Sequence, residues 1–105
     1  MATSKIPNLT FKLVKYTKQI TWYSTSNPYC IHTYDVTQTG YIPIAVGYSF
    51  TGTGSTTIYP TECRVHGNNV LLTARMVNTP DSTTQNGVNL SVLYAPTNCV
   101  ADITA

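Results

Sequence analysis

Apolar and polar side chains alternate along two stretches of the chain, residues 42–50 and 88–94. Alternation repeated four or five times points one face of an extended strand inward and the other outward. An α-helix does not collect such a set on one side, so the pattern predicts β-strands. The apolar positions are Ile42, Ile44, Val46, Tyr48 and Phe50 in the first stretch, and Val88, Leu90, Val92 and Tyr94 in the second.

Further strands are predicted where β-branched and aromatic residues lie between turn signals. The turn signals are residues 26–28, 37–40 and 67–69, which contain Pro, Gly or Asn. No window has the periodicity of a helix. The sequence therefore predicts an all-β fold, an antiparallel β-sandwich of jelly-roll type with seven to eight strands. The additional strands are predicted at residues 9–16, 19–23, 29–36, 57–66 and 70–77. Residues 57–66 are expected to give one or two strands interrupted at Pro60, and the turn at 67–69 predicts a hairpin with residues 70–77.

Individual strands carry more detailed expectations. Phe11 and Leu13 alternate with polar residues and share a face of the first predicted strand. Pro43 falls on the outward face of its strand, and its missing N–H predicts an edge position or a bulge there. The strand at residues 70–77 has one apolar face, made of Val70, Leu72, Ala74 and Met76.

The length of 105 residues predicts a single domain, residues 1–105, with extended termini at residues 1–7 and 96–105. The amino end has neither an apolar segment of the signal-peptide kind nor a small-residue cleavage site. If Met1 is the natural start, we expect the chain to be made and folded in a cytoplasm. No apolar run approaches the length that spans a bilayer, so membrane insertion is not expected.

Charge is sparse and unevenly placed. Only 10% of the residues are charged, with a net charge of +2, which leaves little repulsion between copies of the chain. Four lysines precede the first acid, but aromatic residues do not interleave them regularly, so nucleic-acid binding is not expected. Lysines that guard an edge strand against stray pairing are the favoured explanation. These residues are Lys5, Lys12, Lys15 and Lys18.

The residues that carry catalytic or metal chemistry form no recognisable motif. Three cysteines are an odd number and disfavour a disulfide scaffold. Cys30 with His32 and Cys63 with His66 would supply four zinc ligands, but Cys63 and His66 face opposite ways on a strand. The four acids are scattered, so no pair for acid–base catalysis can be chosen. We therefore expect no catalytic residues, no metal and no cofactor, and a protein that is not an enzyme.

Tyrosine and tryptophan are abundant, and such side chains favour interfaces and sugar-stacking surfaces. Trp22, Tyr48 and Tyr94 are assigned to the core. The loops at residues 24–29, 51–55 and 78–86 are the predicted recognition loops, with plain solvated connections as the alternative. The candidate ligand-binding residues are Tyr23, Tyr29, Tyr59, Asn78, Asp81 and Gln85.

Three segments of the chain are similar to a known group of domains. These are residues 40–46 (GYIPIAV), residues 65–72 (VHGNNVLL) and residues 88–94 (VNLSVLY). They resemble small all-β domains at the carboxyl ends of bacteriophage and prophage tail or minor structural proteins. The resemblance covers about residues 36–95.

The resemblance implies a non-enzymatic virion structural protein, a tail or appendage tip module for receptor binding and host attachment. It implies a homo-oligomer, with a trimer favoured, that contacts other virion proteins and host cell-surface polysaccharide. Its place would be the virion, assembled in the cytoplasm of the bacterial host. Such domains usually follow a shaft or attachment module, and this sequence begins at Met1 without one. Either the chain is a separate small gene product or the upstream part is absent. For a separate product, capsid decoration or another head structural role with a lattice partner is the alternative. An envelope-degrading hydrolase, which would need a cleft with paired carboxylates or a metal, is a third hypothesis.

Overall fold

The computed structural model describes residues 10–51, 58–77, 83 and 86–99. Within these residues the chain forms six β-strands and one short 3-10 turn, with no α-helix. The expected all-β class is confirmed, but the described part contains six strands rather than seven or eight. The elements are β1 (Lys12–Ile20), β2 (Tyr29–Asp35), β3 (Tyr41–Thr51), β4 (Ile58–His66), β5 (Asn69–Met76), β6 (Asn86–Pro96) and the 3-10 turn (Thr97–Cys99).

The six strands form two antiparallel sheets of three strands each. The first sheet has the order β1-β6-β3 and the second has the order β2-β5-β4. The two central strands, β6 and β5, are paired on both sides, and their alternate residues are almost fully buried. This confirms the predicted inward faces of both strands, including that of Tyr94. A single hydrophobic core draws on side chains from both sheets, and Trp22 is buried in it as predicted.

Strand β1 replaces two predicted strands. Residues 9–16 and 19–23 were expected to form separate strands, but β1 pairs with β6 without interruption from Lys12 to Ile20. The partner fixes which side chains point inward, because residues directly opposite each other share a face. Val14 and Tyr16 therefore face the core, while Phe11 and Leu13 remain 49% and 57% exposed. The face that Phe11 and Leu13 share is thus the outer one, and the predicted edge position of this lysine-bearing strand is confirmed.

Strand β3 contains a β-bulge. Its pairing with β6 shifts register between Pro43 and Ala45, so one extra residue, Ile44, lies in β3. Pro43 is opposite Tyr94 and buried, while Ile44 is exposed. The predicted bulge and edge position are confirmed, but the predicted outward direction of Pro43 was wrong. Tyr48 is 44% exposed instead of buried, because an edge strand is covered from one side only.

Strands β4 and β5 form the predicted hairpin. Gly67 adopts a positive φ of 62° in the tight turn, and His66 is opposite Asn69. Residues 57–66 were expected to give one or two strands interrupted at Pro60. They give the single strand β4, in which a register shift between Pro60 and Glu62 accommodates the proline.

Hydrogen bonds from tyrosine side chains connect the two sheets. The buried Tyr94 hydroxyl in β6 donates to the carbonyl oxygen of Val36, directly after β2. It also lies 2.6 Å from the hydroxyl of Tyr16 in β1. The Tyr34 hydroxyl in β2 donates to the carbonyl oxygen of Gln19 at 2.9 Å. These bonds hold the carboxyl end of β2 against β6 and against the end of β1 in the first sheet.

Candidate functional site

The connection between β1 and β2 carries two stacked tyrosines. The Tyr23 and Tyr29 rings are 5.0 Å apart and nearly parallel, with an interplanar angle of 16°. The Tyr23 N–H donates to the Tyr29 carbonyl oxygen at 2.7 Å, so the backbone brings the two rings together. Between them, the Asn27 N–H donates to the Ser24 hydroxyl at 2.9 Å and closes the turn. Tyr23 is 70% exposed and presents a ring to solvent from a hydrogen-bonded loop.

The strand order extends this pair into a row across the second sheet. Arg75 in β5 is opposite Tyr29 in β2 on one side and opposite Tyr59 in β4 on the other. Opposite residues share a face, and the buried neighbours Ala74 and Met76 place this face away from the core. Tyr59 is 57% exposed. Tyr23, Tyr29, Arg75 and Tyr59 are called the aromatic row from here on.

Two shallow depressions lie beside the aromatic row. One, of about 360 Å³, lies on the sheet between Tyr29, Ile31, Arg75 and Thr61. The other, of about 390 Å³, lies around the edge of β2 and includes Tyr23 and His32 in its wall. Tyr29 and Ile31 line both, and Ile31 is 67% exposed. The side chains of Tyr29 and Ile31 therefore lie between the two neighbouring depressions. The surface as a whole is extended and open, and it is not a closed cleft.

The polar groups of this surface are hydroxyls and one cation. The Thr61 and Thr73 hydroxyls are 2.6 Å apart at the first depression. Within the described residues, Arg75 makes neither a side-chain hydrogen bond nor an ion pair. The described ion pair on this sheet joins Arg64 Nε to Glu62 at 2.6 Å. The Asp35 carboxylate accepts hydrogen bonds from the Thr37 hydroxyl and N–H at 2.6 and 2.9 Å, and these lower the pKa of Asp35.

The thiol and imidazole near the row are held in their neutral forms. Burial raises the pKa of Cys30 to about 11, against a partly opposing hydrogen bond from the Ala74 backbone. Burial also lowers the pKa of His32, although its contact with the Thr21 backbone acts in the opposite direction. His32 Nε2 lies 2.9 Å from the Thr21 N–H and 3.1 Å from the Thr21 carbonyl oxygen, and a neutral ring protonated at Nδ1 accepts a hydrogen bond from this N–H. A protonated thiol is a poor nucleophile, so burial makes the Cys30 thiol less reactive than an ordinary one.

The structure brings together three of the six predicted ligand-binding residues. Tyr23, Tyr29 and Tyr59 all belong to the aromatic row. The other three, Asn78, Asp81 and Gln85, lie outside the described residues. So does most of the loop at residues 51–55, while Asn86, assigned to the loop at 78–86, opens β6 and is buried.

Sequence reasoning missed Arg75 and Ile31. Each follows a buried residue in an alternating strand, so each is predicted to face outward, but nothing local marks it as part of a site. The β4–β5 hairpin gave a partial signal for the position of Arg75. Counting residues in regular register away from its turn places Arg75 opposite the segment around Pro60. The extra residue in β4 shifts that pairing to Tyr59.

The described residues include cysteine, histidine and acidic side chains, which are the usual metal ligands. They contain no group of three or more His, Cys, Asp or Glu side chains placed to hold a metal ion. Cys63 packs against the core while His66 is exposed, so the two face opposite ways as predicted. No helix in the described ranges is long and apolar enough to cross a membrane.

Comparison with known proteins gives no relatives. No protein family, no curated protein and no solved structure matches the chain.

Proposed function

We propose that the protein is a non-enzymatic β-sandwich module of a bacteriophage or prophage virion that binds host cell-surface polysaccharide through the aromatic row. The observation that carries the binding role is the alignment of Tyr29 in β2 with Tyr59 in β4 across Arg75, with the exposed Tyr23 stacked on Tyr29. A tyrosine ring offers an apolar face that can stack on a sugar ring, together with a hydroxyl for hydrogen bonding. The long, shallow surface is suited to a polymer more than to a small enclosed molecule.

The virion assignment rests on the resemblance of residues 40–46, 65–72 and 88–94 to phage tail and minor structural domains. Two features of the fold support a sandwich for this module. Its two sheets contribute to one hydrophobic core, and β3 of the first sheet contacts β4 of the second. In this arrangement the aromatic row lies on an outer face and is free to meet a cell surface.

Self-association, with a trimer favoured, is proposed through the outer face of the first sheet. Leu13 is opposite Leu93, and Leu93 is opposite Ala45, on the side away from the core. Phe11 and Ile44 add further exposed apolar surface. Contiguous exposed apolar surface of this kind marks protein interfaces. Because this face belongs to the other sheet, subunit contacts there would leave the aromatic row accessible.

The same apolar face favours the second candidate function, a capsid decoration or other head structural protein seated on a lattice. The two candidates differ in stoichiometry, since decoration needs many copies for each particle and an appendage tip needs few. Quantitative mass spectrometry of purified particles distinguishes them. A native mass of three chains in solution, with few copies in each particle, would support the appendage module.

Binding of the isolated protein to a bacterial glycan array and to whole cells tests the binding role. Tyr29→Ala should weaken binding by about fivefold or more, because Tyr29 is the central ring of the row. Tyr48→Ala is the matched control, since Tyr48 is also an exposed tyrosine but lies on the first sheet. It should bind like the natural chain. Absence of binding to every glycan and every envelope fraction, or equal losses in the two variants, would contradict the proposal.

A further inference from the structure

We infer that the polysaccharide bound by the aromatic row is anionic, and that Arg75 binds its carboxylate or phosphate groups. This inference rests on the proposed function, since it specifies the ligand of the same surface. Arg75 occupies the centre of the row, directly between Tyr29 and Tyr59. A ligand that stacks on these rings therefore meets the guanidinium group.

The guanidinium of Arg75 is available to a ligand. Two described carboxylates belong to the same sheet, and both are engaged elsewhere. Glu62 is bound by Arg64 at 2.6 Å, and Asp35 accepts hydrogen bonds from Thr37. Arg75 itself is exposed and has no side-chain partner among the described residues. The two arginines of this sheet thus differ, because Arg64 is paired with Glu62 while Arg75 has no acidic partner in the part of the chain that the structure describes.

The surroundings of Arg75 favour an anion. Besides Arg75, the described residues that line the depression beside it are Tyr, Ile, Cys, Thr and Ala, and among them all Arg75 is the one formally charged side chain. Among the described residues, the second depression contributes no carboxylate, and burial lowers the pKa of its His32. A planar guanidinium presents paired N–H donors that match the two oxygens of a carboxylate or phosphate group. The hydroxyls of Thr61 and Thr73 add neutral hydrogen-bonding groups for the rest of the sugar.

A bare ion would not use the whole surface. The charge of one exposed arginine is screened at physiological ionic strength, so it gives weak binding alone. The flanking rings supply apolar contact that a free phosphate ion does not exploit. The arrangement therefore points to an acidic group carried on a sugar ring, in which stacking and ion pairing act together.

The test uses the bacterial glycan array with four proteins: the natural chain, Arg75→Gln, Arg64→Gln and Tyr29→Ala. The best-binding glycans should be acidic. Arg75→Gln should weaken binding to them by about tenfold, because the lost interaction is a charge-assisted hydrogen bond. Arg64→Gln is the matched control, since it removes the paired arginine of the same sheet, and should change binding less than twofold. Circular dichroism of each variant confirms that the fold is retained.

Chemical conversion of the best-binding glycan separates the two sources of charge. Reduction of uronic acid carboxyls to alcohols abolishes tight binding if carboxylate is recognised, and hydrofluoric acid dephosphorylation abolishes it if phosphate is recognised. Tight binding that survives both treatments, or that Arg75→Gln leaves unchanged, overturns the inference while leaving the proposed function intact. Binding that depends on Arg75 but is insensitive to Tyr29→Ala also overturns it, because charge alone would then suffice. A complete lack of glycan binding would instead refute the proposed function itself.

Discussion

The indole nitrogen of Trp22 donates a hydrogen bond to Asn86 Oδ1 at 2.8 Å inside the core. Trp22 is 1% exposed and Asn86 is 3% exposed, so the bond is shielded from water. It joins the segment that follows β1 to the first residue of β6. Tyr23 follows Trp22 directly, so this buried hydrogen bond also fixes the backbone position from which the Tyr23 ring stacks on Tyr29.

Replacing Trp22 by Phe should destabilise the protein by about 2–4 kcal/mol, because a buried acceptor loses its donor and the smaller ring leaves a cavity. The amide nitrogen of Asn86 already has no partner among the described residues, so the variant leaves the whole side chain unsatisfied there. Urea unfolding followed by circular dichroism measures the change, since Trp22 is the only tryptophan and its fluorescence is lost.

Two further variants identify the cause of that loss. Tyr23→Phe alters the exposed neighbour and should change the free energy of unfolding by no more than about 0.5 kcal/mol. Adding Asn86→Leu to Trp22→Phe removes both polar partners and should recover part of the lost stability. If Trp22→Phe unfolds like the natural chain, the buried pair makes no net contribution.

His32 should make the protein less stable in mild acid. Its pKa in the folded state is lowered from the ordinary value of 6.5 by burial. As the pH falls through 6.5, the unfolded chain binds a proton at this residue before the folded chain does, so the free energy of unfolding decreases. The loss levels off below the folded pKa, where both states are protonated. Urea midpoints at pH 7.5 and pH 5.5 measure the effect.

Substitution of each histidine assigns this pH dependence. His32→Gln retains an acceptor for the Thr21 N–H but does not titrate, so its midpoints should differ less between the two pH values. His66→Gln, at the exposed histidine of β4, should keep the decrease seen in the natural chain. The assignment to His32 is wrong if the two variants respond alike.

Cys30 should resist alkylation in the folded protein. Burial raises the pKa of its thiol from 9.0 to about 11, so at pH 8 the reactive thiolate is roughly a hundredfold rarer than for an ordinary thiol. Iodoacetamide labelling followed by peptide mass spectrometry reports each cysteine separately, with the partly exposed Cys99 as the internal reference. In urea all three cysteines should react at similar rates. Comparable labelling of Cys30 and Cys99 in the native protein would show that the core around Cys30 opens readily.

The inward faces of the central strands were predictable from sequence, whereas the inward face of the edge strand β1 was not. Val70, Leu72, Ala74 and Met76 in β5 are buried as their alternation indicates, because neighbouring strands cover β5 on both sides. In β1 the alternation places Phe11 and Leu13 on one face, but the other face packs against the core. Pairing with β6 determines which face of β1 points to the core. The alternating pattern is the same whether the apolar residues lie on the inner or the outer face.

The candidate site was predictable in its residue types but not in its assembly. Tyr23, Tyr29 and Tyr59 were selected because tyrosine favours exposed recognition surfaces. Their alignment depends on β5 lying between β2 and β4, and sequence spacing does not determine that order. The same order gives Arg75 its place between two tyrosines, so its role emerges only when the register of both strand pairs is known.

The bulge in β3 leads to a prediction about deletions. Pro43 is opposite Tyr94, Ala45 is opposite Leu93 and Ile44 is the unpaired extra residue. Deleting Ile44 therefore joins the two halves of β3 in one regular register, with every core-facing side chain still directed inward. The loss should be below about 2 kcal/mol, since an exposed bulge residue contributes little packing. Thermal unfolding followed by circular dichroism should remain cooperative.

Deletion of Gly47 is the matched comparison in the same strand. Gly47 lies in the regular part of the strand, three residues beyond the bulge. If residues 45 and 46 keep their partners, Tyr48 moves opposite Ser91 and Phe50 moves opposite Asn89. Both rings would then lie on the outer face, and the core would lose the packing of Phe50, worth about 1.5–3 kcal/mol alone. This variant should unfold at a much lower temperature than the Ile44 deletion, or fail to fold. If the Ile44 deletion is the more damaging of the two, the bulge is a required part of the strand and the register argument is wrong.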